Sequence, residues 1–288
     1  MKKIIAALAI PLFLSLAACG GGDDSGPDSS GPAIKLTYSG MPLVTSQRAR
    51  TMAAATDVSS SASAPGVPAN DVQPTISALQ DAFKARGADI AIYPGVINGS
   101  KLHDIVMSEN NGVGPTRAEI AEANVNISSW TLVNFQYDDM TGYIDTPDKK
   151  AMADQFYKDI RIFAAREYVK GNVVFYANPI MSCLPAKIDS SGYSVATATQ
   201  SLRDALAGSD DNLGHAIGGI SPPPDQMGSD CQTPNSAAQA SYVDSIADPL
   251  TEQYKTALDT INKCKYDPES IPEEGRWAQC WGIEPVKK

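Results

Sequence analysis

The spacing of apolar and polar residues changes repeatedly along the chain, and each change marks an element. Residues 33–38 (Ala33-Ile34-Lys35-Leu36-Thr37-Tyr38) alternate apolar and polar positions, the period-two signature of a strand. Residues 74–86 read as a helix closed by Gly87, because glycine tolerates the left-handed turn that ends helices. Short apolar runs at 89–93, 130–135 and 172–177 predict a second, third and fourth strand. Between the last two, residues 147–169 predict a helix with proline in its first turn and Gly171 just past its end. A helix over 194–207, a short strand over 215–220 and a long helix over 236–263, kinked at Pro249, complete the pattern. Strands that are apolar enough to be buried on both faces, alternating with helices, imply a parallel sheet inside a three-layer α/β sandwich. In such sheets ligands sit beyond the carboxyl ends of the strands.

Two stretches cannot join that core. Residues 20–32 (GGGDDSGPDSSGP) carry no apolar side chain and read as a flexible tether within the segment 19–32. Residues 53–70 are rich in Ala, Ser and Pro and read as a low-complexity loop, long enough in a compact domain to be either unstructured or functional. The folded domain is expected over 33–263, with 264–288 as a C-terminal tail.

Before the tether, Lys2 and Lys3 precede an apolar run over 4–16 that is too short to span a bilayer as a mature helix. It ends in Leu16-Ala17-Ala18-Cys19, which resembles the site where bacterial lipoprotein precursors are cut and acylated. Residues 1–18 then read as a signal peptide, Cys19 as the lipidated residue and the membrane as a partner through that lipid. Gly20 in place of Asp resembles cargo sent to the outer membrane, so the expected location is the bacterial envelope.

Composition narrows the function. The chain has 288 residues, with 23 basic and 33 acidic side chains and a net charge of −10, and losing Lys2 and Lys3 takes it to −12. Phosphate neutralisation needs a basic face, so no nucleic-acid partner is expected. Besides Cys19 there are Cys183, Cys231, Cys264 and Cys280, an even number that favours two disulfides in an oxidising compartment. With two histidines and no CxxC spacing, neither a metal site nor a cofactor is expected.

The loop texts resemble the SGNH/GDSL hydrolases over most of 33–263. The clearest match runs from Ala85-Arg86-Gly87-Ala88-Asp89-Ile90 to Gly95-Val96-Ile97-Asn98-Gly99-Ser100. It is similar to the family's second block, which implies an oxyanion-binding backbone N–H at Gly99. The resemblance also implies a five-stranded parallel sheet of flavodoxin-like order. Where the family places Gly-Asp-Ser-Leu after the first strand, this chain has Tyr38-Ser39-Gly40-Met41, making Ser39 the candidate nucleophile and Ser46 a weaker substitute. Serine also serves as a turn hydroxyl.

The other blocks depart from the family. Its third block reads Gly-x-Asn-Asp and here becomes Gln136-Tyr137-Asp138-Asp139. An ionised Asp138 accepts hydrogen bonds and cannot donate one to an oxyanion. The fifth block, Asp-x-x-His-Pro, becomes Asp230-Cys231-Gln232-Thr233-Pro234, which keeps the orienting Asp230 but puts Thr233 in place of the general base. His215 opens the fifth strand, at the sheet's amino end. His103 follows the Gly99 loop with Asp104 beside it, but adjacent helical residues point apart, which makes it a capping or surface histidine. Failing a histidine, a base would have to be a carboxylate, and Asp138, Asp139, Asp225 and Asp230 are the candidates at that rim.

The same alignment implies Cys183–Cys231 as a tie between two loops at the carboxyl edge, with Cys264–Cys280 clipping the tail, out of three pairings four cysteines allow. Trp277 and Trp281 beside Cys280 read as a small satellite core. The expected function is a degenerate SGNH-like envelope lipoprotein that binds a glycan, acyl or protein surface, or else an active serine esterase on ester-linked substrates.

Overall fold

In the computed structural model the chain is described over residues 32–44, 73–96, 101–209 and 213–286. The signal segment, the tether apart from Pro32, the 53–70 loop, Ser46 and Gly99 lie outside the described residues.

Five parallel strands form the central sheet: β1 (Ile34–Gly40), β2 (Ile90–Pro94), β3 (Ser129–Asn134), β4 (Val173–Ala177) and β7 (His215–Ile217). Their order is β2-β1-β3-β4-β7, the flavodoxin-like doubly wound arrangement. Leu36 sits between Ile92 of β2 and Trp130 of β3, and Leu132 pairs with Phe175 of β4. A minor antiparallel pair, β5 (Lys187–Ile188) and β6 (Ser194–Val195), stands apart from the sheet.

Helices cover both faces. On one face α1 (Gln73–Ala85) presents Ile76, Leu79 and Phe83 at helical spacing to Ile34, Leu36 and Tyr38 of β1. Each such side chain stabilises the fold by about 1.5–3 kcal/mol on burial. The long helix α6 (Ser236–Tyr266) joins it, capped by Asn235, whose Oδ1 accepts the amides of Ala237 and Ala238, and it continues through Pro249. On the other face α2 (Leu102–Ser108), α4 (Pro147–Val169) and α5 (Ala198–Ala207) pack Leu102, Val106, Ile160, Phe163 and Leu202 against Val133, Val174 and Tyr176. A short helix α3 (Arg117–Glu122) with a Thr116–Glu119 capping box lies between α2 and β3.

The structure departs from the sequence reading in a few places. The helix expected from 194 starts at Ala198, because Ser194 and Val195 pair with the 187–188 strand and Thr197 caps the helix through the Gln200 amide. The strand expected over 215–220 ends at Ile217, where Gly218 and Gly219 turn to positive φ. The tail is no separate appendage. Cys264, Ile271 and Ile283 are buried in the same cluster as β1 and α1, and α7 (Glu273–Gln279) follows α6. Trp277 is 68% exposed, so it forms no satellite core.

The end of β1 depends on one glycine. Gly40 has φ +104°, and a Cβ there would lie 2.5 Å from the Asn134 carbonyl oxygen. Gly40→Ala is therefore expected to cost about 1–3 kcal/mol of stability, read as a lower urea midpoint with an unchanged m-value. An unchanged midpoint would show that the β1 loop is free to move.

Candidate functional site

Strand order reverses between β1 and β3, and there doubly wound sheets open their ligand crevice. Here the β1 loop folds back over that point. The Met41 carbonyl accepts from the Asn134 side-chain amide at 2.8 Å and from the Tyr38 hydroxyl, while the Met41 amide donates to Asn134 O at 2.9 Å. Burial pushes the Tyr38 phenol up, so it remains a donor. Beyond it, the amides of Leu43 and Val44 both donate to Thr75 Oγ1, fixing the loop to the start of α1.

Ser39 lies inside β1 and is 2% exposed. Its Oγ accepts the Val96 amide at 3.1 Å, and a Cβ on Gly95 would meet that oxygen at 2.3 Å. It lines a cavity of about 330 Å³ between the sheet and α2 and α4, together with Thr37, Thr131, Arg166 and Glu167. Among the described residues no histidine or carboxylate hydrogen-bonds to it. Strand alternation turns the Ser39 side chain under the sheet, where its hydroxyl holds the β2 loop.

Asp138 and Thr233, the residues expected from the resemblance at the donor and base positions, make other bonds. Asp138 pairs with Lys101 at 2.7 Å, both side chains being more than half exposed, so the pair contributes little to stability. Thr233 Oγ1 donates to Asp230 Oδ2 at 2.6 Å, and Asp230 Oδ1 accepts the amides of Gln232 and Thr233. The orienting carboxylate thus caps its own turn. The Cys183–Cys231 disulfide ties this loop to the segment after β4, and Gln232 Oε1 accepts the Gly142 amide. Cys264–Cys280 closes the tail, so both pairings are the expected ones, the first from the alignment and the second as a short clip. The four rim carboxylates do not gather. Asp139 bonds to Thr141 and Lys149, Asp225 lies on a 3₁₀ turn, and no group of three or more His, Cys, Asp or Glu side chains comes together among the described residues.

These bonds carry a pH signature. The Thr233 hydroxyl, followed by the Gln232 and Thr233 amides, holds Asp230 at about 2, and Thr141 and then Lys149 hold Asp139 at about 2, against an ordinary 3.8. Both values are depressed on folding, so their contribution is complete above the ordinary value and is lost as pH falls through about 2. Amide exchange at Gln232 and Thr233 should accelerate across that window. Exchange that follows the solvent rate alone would contradict the capped turn.

The open cleft lies one strand aside, between the end of β3, α2 and α4. It has a volume of about 190 Å³, with Leu102, Tyr137, Met152 and Phe156 as apolar walls and Gln136 and Asp138 at its polar side. His103 and Asp159 line it too, and His103 Nδ1 lies 2.9 Å from Asp159 Oδ2. Asp159 is 2% exposed, and its Oδ1 accepts from Gln155 Nε2 at 3.0 Å. An ionised carboxylate only accepts, so the proton between them belongs to Nδ1. His103 therefore has a positioned imidazole, with Asp159 rather than Asp104 as its partner. Sequence reasoning missed Asp159, although a signal existed: it stands between Phe156 and Phe163 on the buried stripe of α4, where a lone carboxylate needs a partner.

No protein-family model matches the chain, and neither does any curated protein sequence. Among solved structures it is similar in fold to the psychrotrophic esterase EstA from Pseudoalteromonas sp., at 14% identity and a TM-score of 0.40 over 78% of this chain and 98% of that one. A carbohydrate esterase family 2 enzyme with a carbohydrate-binding domain from Corynascus aligns at 15% identity and a TM-score of 0.40, over 80% of this chain and 69% of that one. A protein from Slackia heliotrinireducens assigned to the SGNH hydrolases aligns at 9% identity and a TM-score of 0.39, over 76% and 99% of the two chains. What the chain shows by its own strand order and covering helices is a three-layer α/β sandwich.

Proposed function

We propose that the chain is a lipid-anchored bacterial envelope protein whose SGNH-hydrolase-like domain binds a glycan, acyl or protein ligand and does not hydrolyse it. The observation that carries the reading is the Thr233–Asp230 bond at 2.6 Å: where the resemblance implies a general base and its orienting carboxylate, Asp230 holds a hydroxyl that takes up no proton at neutral pH. The buried Ser39 and the Lys101–Asp138 pair support it. A fluorophosphonate probe tests it: the reading expects no labelling, whereas labelling lost in Ser39→Ala would favour the alternative, a serine esterase working from the 330 Å³ cavity.

The anchoring rests on Leu16-Ala17-Ala18-Cys19 and the preceding apolar run. Among the described residues no helix is long and apolar enough to cross a membrane. Cys19→Ala is expected to abolish palmitate labelling and move the protein out of the membrane fraction with its melting curve unchanged. Unaltered labelling and fractionation would remove the anchor from the proposal.

A further inference from the structure

The buried carboxylate of Asp159 faces a half-exposed imidazole, and the two are held in one geometry by a third side chain, Gln155. That bond fixes the His103 ring with Nδ1 as the donor. In the neutral imidazole Nε2 carries the lone pair, and it has no hydrogen-bond partner among the described residues, on a ring that lines the 190 Å³ cleft. The volume is below the roughly 300–1,000 Å³ of pockets for drug-sized ligands, so the cleft accommodates one small group rather than a whole polymer. Leu102, Met152 and Phe156 give that group an apolar seat.

We propose that this cleft binds an uncharged aryl or short-alkyl alcohol group, its hydroxyl donating to His103 Nε2 and its apolar body seated between α2 and α4. The charge of the lining selects against an anion. Asp138 and Asp159 both line the cleft, and the cation that pairs with Asp138, Lys101, is not among the lining residues. A carboxylate ligand would meet the Asp159 carboxylate and, in the neutral imidazole, a nitrogen that accepts, whereas a hydroxyl supplies the proton that nitrogen lacks. Asp159 is a positioning residue here, since it acts on the ligand through the imidazole. The assignment rests on the reading of the domain as a binder, and places that binding at the His103 cleft.

The chain has two histidines, so ¹⁵N-histidine labelling of the full-length protein gives two imidazoles, with His215 on β7 as the internal control. Benzyl alcohol is expected to shift His103 Nε2 with saturation in the millimolar range and to leave His215 unmoved. Benzoate should bind at least about tenfold more weakly, a difference of about 1.4 kcal/mol. Met152→Trp fills the cleft and should abolish the shift while both imidazoles stay observable. If that variant loses its fold, Met152→Phe repeats the test with a smaller insertion. Asp159→Asn should change the His103 nitrogen shifts before any ligand is added and weaken benzyl alcohol binding. An unmoved His103, an equal response in a folded cleft-filled variant, or benzoate binding as well as benzyl alcohol would overturn the assignment. Ester hydrolysis by the same preparation would defeat the binder reading and not the cleft, because the titration reports occupancy and not turnover.

Discussion

Arg166→Met is expected to lower the unfolding free energy by about 3–5 kcal/mol, among the largest losses any single side chain here should produce. Arg166 is 6% exposed, and its guanidinium donates to three backbone carbonyls: Val106 at 2.9 Å, Glu109, and Val113 at 3.0 Å. Val106 lies in the last turn of α2, where helix carbonyls lack an intrahelical partner, and Glu109, whose carbonyl also accepts the Gly112 amide at 3.2 Å, lies in the turn after it. Methionine keeps most of the packing and removes all three hydrogen bonds, taking from the Val106 and Val113 carbonyls the donors that satisfy them while Glu109 keeps the Gly112 amide. Since α2 carries His103, the variant should also broaden the His103 resonance while leaving His215 sharp. A denaturant midpoint close to that of the parent would show that water replaces the guanidinium and that α2 stands without it.

Replacing both members of the Cys183–Cys231 disulfide by serine is the second large effect. The bond closes 48 residues, and in the chain-entropy account a loop of that length is worth about 4 kcal/mol. That loss acts through the unfolded chain and lowers the global unfolding free energy, and a further, local effect is expected in the loops that the bond joins. The Cys183 amide donates to the Cys231 carbonyl at 3.0 Å, and Cys231 holds φ +55°, a left-handed conformation that the surrounding turn must maintain. Opening the bond should therefore speed exchange at the 228–235 loop before the core strands respond. An unchanged global stability would contradict the chain-entropy figure, and a 228–235 loop that exchanges no faster than in the parent would contradict the local effect.

The fold was legible because its signals are local and strong. The helix 147–169 has a threonine cap, a proline at its first position and a glycine past its end, and its bounds in the structure are Pro147–Val169. The continuous apolar run at β4 marks a strand buried on both faces. Short elements such as α2, α3 and the β5–β6 pair were not read, because about two turns of helix or two paired residues leave no periodicity to measure. At the site, the substitutions at 138 and 233 were visible as missing chemistry. What replaced that chemistry was not. The Thr233–Asp230 bond follows from a turn conformation, and the His103–Asp159 pair joins residues 56 apart on two helices whose packing fixes the distance. Ser39 illustrates the same limit, since its identity is fixed by the sequence but its direction depends on where β1 ends.

The most direct test of the account is hydrolysis of a short acyl ester, such as p-nitrophenyl acetate, by the parent protein, by Ser39→Ala and by the double variant Asp138→Asn/Thr233→His. Loss of a nucleophile or base in serine hydrolases costs about 10⁴–10⁶ in turnover, which would leave the parent near the uncatalysed rate. Because Ser39 is buried beneath the sheet with its oxygen on the Val96 amide, restoring the donor and the base should not rescue it. The account predicts that all three proteins hydrolyse the ester equally slowly. Robust parent activity abolished by Ser39→Ala, or activity that emerges in the double variant, would contradict it.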